Sequence, residues 1–112
     1  MMNANATRTV RRNSNGEKLY PISIIKHQHN IELAYVKMWN RRHDANGAGD
    51  MAAVARLDAR MERCDEYRDK LRGSHGCGWF TGAEYADAMA MINWARGSRM
   101  VACERNNVPY VE

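Results

Sequence analysis

The sequence predicts an all-α domain, in which an antiparallel helical hairpin and a third helix form a three-helix, bundle-like unit behind a flexible basic N-terminal arm. Two observations lead to this prediction. Apolar residues recur with helical spacing in three long segments, and stretches rich in glycine or turn-forming residues separate these segments. With 112 residues, of which 45% are apolar and 27% charged, the chain is long enough for one modest core.

The chain divides into three regions: an arm (1–18), one helical domain (19–105) and a C-terminal tail (106–112). The arm is rich in Asn, Thr, Arg, Ser and Gly, and after Met1 and Met2 its one bulky apolar residue is Val10. Such a segment buries too little surface to offset the entropy lost on ordering, so we expect it to be mobile. The sequence shows neither a secretory signal nor an apolar run of membrane-spanning length, which favours a cytoplasmic location without membrane contact.

The first helix is expected to begin between Ile22 and Asn30 and to end near His43. Apolar residues cover well over half of its circumference. The remaining part of the circumference is a narrow polar strip that contains Lys26, Asn30, Lys37 and Arg41. A helix this broadly apolar is contacted on more than one side.

Three helices have limited capacity to surround such a helix, so part of its apolar surface is expected to meet a partner. Large side chains are the best candidates for that surface, which another protein or a second copy of the chain would cover. The aromatic candidates are Tyr35, Trp39 and Trp94.

The second helix is predicted from Met51 to about Arg72, with Asp50 as its N-cap and Gly73 after its end. Its buried stripe follows a heptad pattern: Val54, Leu57, Met61, Cys64 and Leu71. The third helix begins with a capping box formed by Thr81 and Glu84, and Gly97 is expected to end or bend it.

Charged residues on the outer surface of the second helix separate into an acidic and a basic ridge. The sequence leaves two interpretations open: a solvated face, or an interface with a partner or neighbouring helix of opposite charge. The residues proposed to bind a partner are Arg56, Arg60, Arg63, Asp58, Glu62 and Asp69.

The stretch GSHGCGWFTGAEY (73–85) concentrates glycine, histidine, cysteine and aromatic residues. The favoured interpretation is a connection between two helices, because no preceding strand supports a phosphate loop and no third group completes a Cys77–His75 nucleophile pair. No metal is expected, since no closely spaced ligand pair is present. A weaker alternative is a zinc site formed by Cys64, His75, Cys77 and Cys103.

The net charge of +4 is concentrated in the first 20 residues, where four basic residues oppose Glu17 and give +3. The remaining 13 basic and 12 acidic residues give only +1. Direct binding of DNA or RNA is therefore the alternative function rather than the favoured one. It would use these arginines: Arg8, Arg11, Arg12, Arg41, Arg42, Arg96 and Arg99.

No catalytic constellation or cofactor motif is present, which favours a small non-enzymatic protein that acts by contacting another protein. Its size and basic arm suit an accessory inhibitor or modulator of nucleic-acid machinery, of the kind that phages and mobile elements encode; this is general analogy. An enzyme that uses Cys77 and His75 is a distant third hypothesis. No cofactor is expected.

Overall fold

A computed structural model describes residues 10–73 and 75–109. Their elements, in chain order, are β1 (Leu19–Ser23), α1 (Ile24–Gly47), α2 (Met51–Arg72), β2 (Cys77–Thr81) and α3 (Gly82–Arg105). Three helices therefore dominate the fold, as the sequence predicts. In this part of the chain, none of the helices combines the length and apolar character needed to cross a bilayer.

Helices α1 and α2 form the predicted hairpin. The hydroxyl of Ser23 caps α1 by accepting a hydrogen bond from the amide of Lys26 at 3.3 Å. Helix α1 continues to Gly47, a full turn beyond the predicted end. Gly49 adopts φ +75° in the turn, a conformation that favours glycine. The carboxylate of Asp50 then caps α2, as predicted, by accepting from the amide of Ala53 at 3.1 Å.

A two-stranded antiparallel sheet corrects the all-α prediction. Strand β2 lies in the stretch that the sequence analysis interpreted as a helix connection, and it pairs with β1 so that Pro21 is opposite Trp79. Gly78 and Phe80 of β2 are buried, whereas their neighbours along the strand are only partly buried. This alternation identifies a half-buried strand, and it is too short to stand out among closely spaced glycines.

Residues 10–18, the second half of the predicted arm, fold back on β1. The Asn13 side-chain oxygen accepts hydrogen bonds from the amides of Asn15 and Glu17, at 3.0 and 2.9 Å. The amide of Leu19 donates to the carbonyl of Arg11 at 2.8 Å. Residues 1–9 of the arm lie outside the described part of the chain, so the mobility of the arm stays a prediction.

The core lies between the three helices and the inner face of the sheet. Its fully buried side chains come from all five elements: Ile22, Ile31, Cys64, Leu71, Phe80, Met91 and Ile92. Asn30 is also buried, at 3% exposure, although the sequence analysis assigned it to a polar strip. Asn30 is buried because α3 packs over this side of α1.

The start of α3 is confirmed and its end is corrected. The Thr81 hydroxyl accepts from the amide of Glu84 at 3.3 Å, and the Glu84 carboxylate accepts from the amide of Thr81 at 2.9 Å. The helix then passes through Gly97 without a break and ends at Arg105. A glycine within a helix costs only about 1 kcal/mol relative to alanine, so a helix that buries Ala88, Met91, Ile92 and Ala95 can continue through it.

Candidate protein-binding groove

Half of the predicted charged ridges on α2 are occupied by neighbouring helices. Asp58 forms an ion pair with Arg42 of α1. On the basic ridge, Arg60 and Arg63 both reach Asp87 of α3, at 2.6 and 3.4 Å. Charge complementarity between helices of one chain thus accounts for three of the six candidates.

The other three candidates, Arg56, Glu62 and Asp69, are exposed on α2. None of them makes an ion pair with a residue in the described ranges. Contact with an external partner through the ridges stays a prediction for all six residues, and these three are the ones without an ion pair in the described ranges.

The indole of Trp94 lies half-buried on α3, beneath two cations from α1. The Nζ of Lys37 is 5.2 Å from the ring centroid, and the guanidinium carbon of Arg41 is 4.9 Å from it. Cations at these distances are attracted to the negative face of the ring. Trp94 therefore anchors a contact between the two helices and retains exposed surface.

Two adjoining depressions share Trp94, and together we call them the Trp94 groove. The larger has a volume of about 670 Å³ and is lined by Lys37, Asn93, Trp94, Gly97, Ser98, Val101, Ala102 and Arg105. The smaller, of about 250 Å³, is lined by Met38, Arg41, Leu57, Arg60, Ala90, Met91 and Trp94. Three residues selected from the sequence, Arg41, Arg60 and Trp94, thus meet in one place.

The Trp94 groove is positively charged. Lys37, Arg41 and Arg105 make no ion pair with any residue that the structure describes, whereas the charge of Arg60 is offset by Asp87. No Asp or Glu is among the described lining residues. Apolar surface beneath unpaired cations suits an anionic ligand that also carries apolar groups.

The other two aromatic candidates lie apart from this groove. Tyr35 is half-buried, and the guanidinium of Arg68 lies 4.4 Å from its ring centroid. Trp39 is 51% exposed on α1. A homodimer surface that includes Trp39 stays a prediction.

The arginines of the nucleic-acid alternative are dispersed over the structure. Arg42 is paired with Asp58, and Arg99 donates to the side-chain oxygen of Asn30 at 2.9 Å. Arg12 donates to the carbonyl of Gly16 at 2.9 Å. Arg96 is half-buried and lies 3.5 Å from the side-chain oxygen of Asn93. Arg8 lies outside the described residues, and Arg11 stacks on Trp79 at the sheet.

The four residues of the zinc alternative do not come together. Cys64 is fully buried in the core, whereas Cys77 and Cys103 are half-buried on β2 and α3. Within the described ranges, no group of three or more His, Cys, Asp or Glu side chains could hold a metal ion. Burial raises the pKa of the Cys64 thiol to about 11, which keeps it protonated near neutral pH.

Sequence reasoning missed two residues that shape the surface, Lys37 and Trp79. Lys37 was assigned to the polar strip of the first helix and no function was attached to it. Trp79 was interpreted as an anchor of a helix connection, whereas it projects from a strand. Burial alternates over 77–81, but the residues CGWFT do not alternate between apolar and polar types, so the sequence offered no signal for this strand.

Comparison with protein-family models, with curated proteins and with solved structures finds no match for this chain. The chemistry of the Trp94 groove and of the remaining surface is therefore the basis for inferring a function.

Proposed function

We propose that this protein is a non-enzymatic binding protein that acts by contacting another protein through the Trp94 groove. The observation that carries the proposal is the position of Trp94, which lies between two depressions and beneath Lys37 and Arg41. Tryptophan and arginine in such partly buried positions supply much of the binding free energy in protein interfaces.

The partner segment that fits this groove is acidic on one side and apolar on the other. Its carboxylates would meet Lys37, Arg41 and Arg105, which have no internal ion-pair partners in the part of the chain described. Its apolar side chains would cover Trp94 and Val101, the latter 49% exposed. A helix laid along α3 has this amphipathic character.

The biological role that we propose for this contact is inhibition or modulation of nucleic-acid machinery. This part of the proposal is supported by the small size of the chain and its basic N-terminal segment.

Affinity purification from nuclease-treated lysate tests the proposal. The wild-type protein and a Lys37→Glu/Arg41→Glu variant are compared with Lys26→Glu, a charge reversal at an exposed residue of α1 that lies outside the groove. We expect the groove variant to lose at least one protein partner that the wild type and the control retain, because its groove becomes anionic. Thermal melts establish that both variants are folded.

A photo-crosslinking residue at Val101 makes the test direct. The photo-crosslinking residue in place of Val101 should form a covalent adduct with the partner that the groove variant loses. The same crosslinking residue in place of Ala59, on the exposed side of α2, should not. Equal recovery of every partner by the wild type and both variants, together with equal crosslinking at the two positions, contradicts the proposal.

A further inference from the structure

The outer face of the two-stranded sheet is a second surface, distinct from the Trp94 groove. Its six residues are those whose side chains point away from the core: Leu19, Pro21, Ser23, Cys77, Trp79 and Thr81. On the opposite face, Ile22 and Phe80 are buried against the helices. We call the six-residue surface the outer sheet face.

A cation and an aromatic ring are stacked on this face. The guanidinium carbon of Arg11 lies 4.4 Å from the ring centroid of Trp79. Lys18 precedes β1, and its Nζ lies 5.4 Å from the ring centroid of Tyr20, a residue of the opposite face of the sheet. The hydrogen bond from the Leu19 amide to the Arg11 carbonyl holds Arg11 over the sheet, so the stack is set by the backbone as well as by the side chains.

Depressions lie on both sides of the Arg11–Trp79 stack. One, of about 450 Å³, is lined by Val10, Arg11, Lys18, Leu19, Tyr20, Pro21 and Trp79. The other, of about 400 Å³, is lined by Arg11, Gly73, His75, Cys77 and Trp79. Arg11 and Trp79 belong to both, so a ligand that follows the face must pass the stack.

The charged residues described around the Arg11–Trp79 stack, those that line the two depressions, are all basic. No acidic residue is among the described residues that line either depression, and Arg11, Lys18 and His75 are the lining residues that can carry positive charge. Glu17 is nearby in sequence, but it lines neither depression. The face therefore combines the Trp79 ring with cations that make no ion pair among the described residues.

We propose that the outer sheet face binds single-stranded nucleic acid. Unpaired bases stack on aromatic rings and on guanidinium planes, so Trp79 and Arg11 offer planar surfaces for them. The phosphates meet Arg11 and Lys18, which supply the charge that attracts a polyanion.

A duplex does not use this arrangement, because its bases are stacked on one another and present only their edges. An acidic peptide without aromatic residues, such as polyglutamate, would satisfy the cations but has no planar rings to match the stack. Of the single strand, the duplex and the acidic peptide, the single strand is the ligand that matches both the stacking surface and the positive charge of this face.

The experiment measures binding of the full chain to fluorescein-labelled oligothymidine and oligouridine of about twelve nucleotides. Anisotropy is recorded at about 50 and 200 mM salt, with duplex DNA and polyglutamate as competitors. The variants are Arg11→Glu, Arg11→Lys and Trp79→Phe. The control is Arg56→Glu, which makes the same charge change at an exposed site on α2.

We expect Arg11→Glu to weaken binding by about tenfold or more, and to reduce its salt dependence, because a phosphate contact is lost. Arg11→Lys keeps the charge but loses the planar group, so it should bind between wild type and Arg11→Glu. Trp79→Phe should weaken binding by several-fold, since a smaller ring stacks less well, and Arg56→Glu should stay within about twofold of wild type.

The proposal is overturned if the wild type binds neither oligomer at the lower salt concentration. Competition by duplex or polyglutamate at single-strand potency would equally overturn it, as would equal weakening by Arg11→Glu and Arg56→Glu. Because the variants in the Trp94 groove change other residues, failure here is distinguishable from failure of the protein-binding proposal.

Discussion

The hydroxyl of Tyr67 on α2 donates a hydrogen bond to the Asp87 carboxylate on α3 at 2.6 Å. Tyr67 is 3% exposed, and its ring packs edge-on against Phe80 with 5.6 Å between centroids. Arg60 donates to the other carboxylate oxygen of Asp87, also at 2.6 Å. Asp87 is thus the point at which the charged surface of α2 is joined to α3.

Removal of the Tyr67 hydroxyl should therefore destabilise the fold without disturbing the ring. We expect Tyr67→Phe to lower the free energy of unfolding by about 1–2 kcal/mol, because a hydrogen bond to a charged group is lost. Urea unfolding followed by circular dichroism measures the change. A double-mutant cycle with Asp87→Ala, which removes the acceptor, should show coupling between the two residues; additive effects would mean that the hydrogen bond contributes nothing.

The stability of the fold should fall in acid. Burial opposes ionisation of Asp87, but hydrogen bonds from Tyr67 and Arg60 outweigh it and hold its pKa below the ordinary value. The pKa of Glu84 is also lowered, because hydrogen bonds from Lys70 and Thr81 outweigh its burial. An unfolded carboxylate has a higher pKa and takes up its proton first as the pH falls, which favours the unfolded state.

Stability from these two groups is thus present above about pH 4 and is lost as the pH falls through their folded pKa values. Urea midpoints measured from pH 6 to pH 3 check this. We expect a smaller acid-induced loss for Asp87→Asn than for the wild type. The same loss in both would show that Asp87 does not contribute.

The buried amide of Asn30 depends on Arg99. Truncation in Arg99→Ala removes the donor to the Asn30 side-chain oxygen, and leaving a buried acceptor unsatisfied costs about 1–3 kcal/mol. A thermal melt should therefore show a lower Tm than that of the wild type. Arg56→Ala is the matched control on an exposed helix surface, where a change within about 0.5 kcal/mol is expected. An unchanged Tm for Arg99→Ala would remove the structural role assigned to this arginine.

Gly78 should not tolerate alanine, whereas Gly97 should. A Cβ at Gly78 would lie 2.9 Å from a ring carbon of Phe80 and 3.1 Å from a methyl carbon of Leu71, both fully buried. We expect Gly78→Ala to cost about 1–3 kcal/mol through overpacking. A Cβ at Gly97 meets nothing within 4 Å among the described residues, so Gly97→Ala should stabilise α3 by about 0.5–1 kcal/mol. Chemical denaturation of both variants tests the contrast, and equal effects would contradict it.

The three cysteines should differ in reactivity. The sulfur of Cys64 is fully buried and lies 3.5 Å from the carbonyl oxygen of Ile31. With its pKa raised to about 11, little thiolate is present at neutral pH. Iodoacetamide followed by peptide mass spectrometry should modify Cys77 and Cys103 in the native protein and Cys64 only after unfolding. Early modification of Cys64 would show that the core opens at this position.

The helical part of this protein could be predicted because its signals are local. Asp50 caps α2, Thr81 and Glu84 cap α3, and the stripe through Val54, Met61 and Leu71 faces the core, as their spacing indicates. A helix satisfies its backbone hydrogen bonds within four residues, so periodicity and capping residues are sufficient to locate it.

The candidate sites could be predicted only in part. Arg41, Arg60 and Trp94 were selected from the sequence, but their convergence depends on how α3 crosses the α1–α2 hairpin. Trp79 was not selected, because its stacking with Arg11 depends on pairing of the segment before α1 with the segment after α2.

The sequence by itself determined the three helices, the N-caps of α2 and α3 and most of the buried faces. Tertiary structure alone decided that Pro21 meets Trp79 in a sheet, that Asn30 is buried beneath Arg99, and that the basic ridge of α2 turns toward Asp87. The physical reason is that strand pairing and interhelical ion pairs join residues far apart in the chain. Their partners are selected by the packing of whole elements, and no local pattern in the sequence specifies that packing.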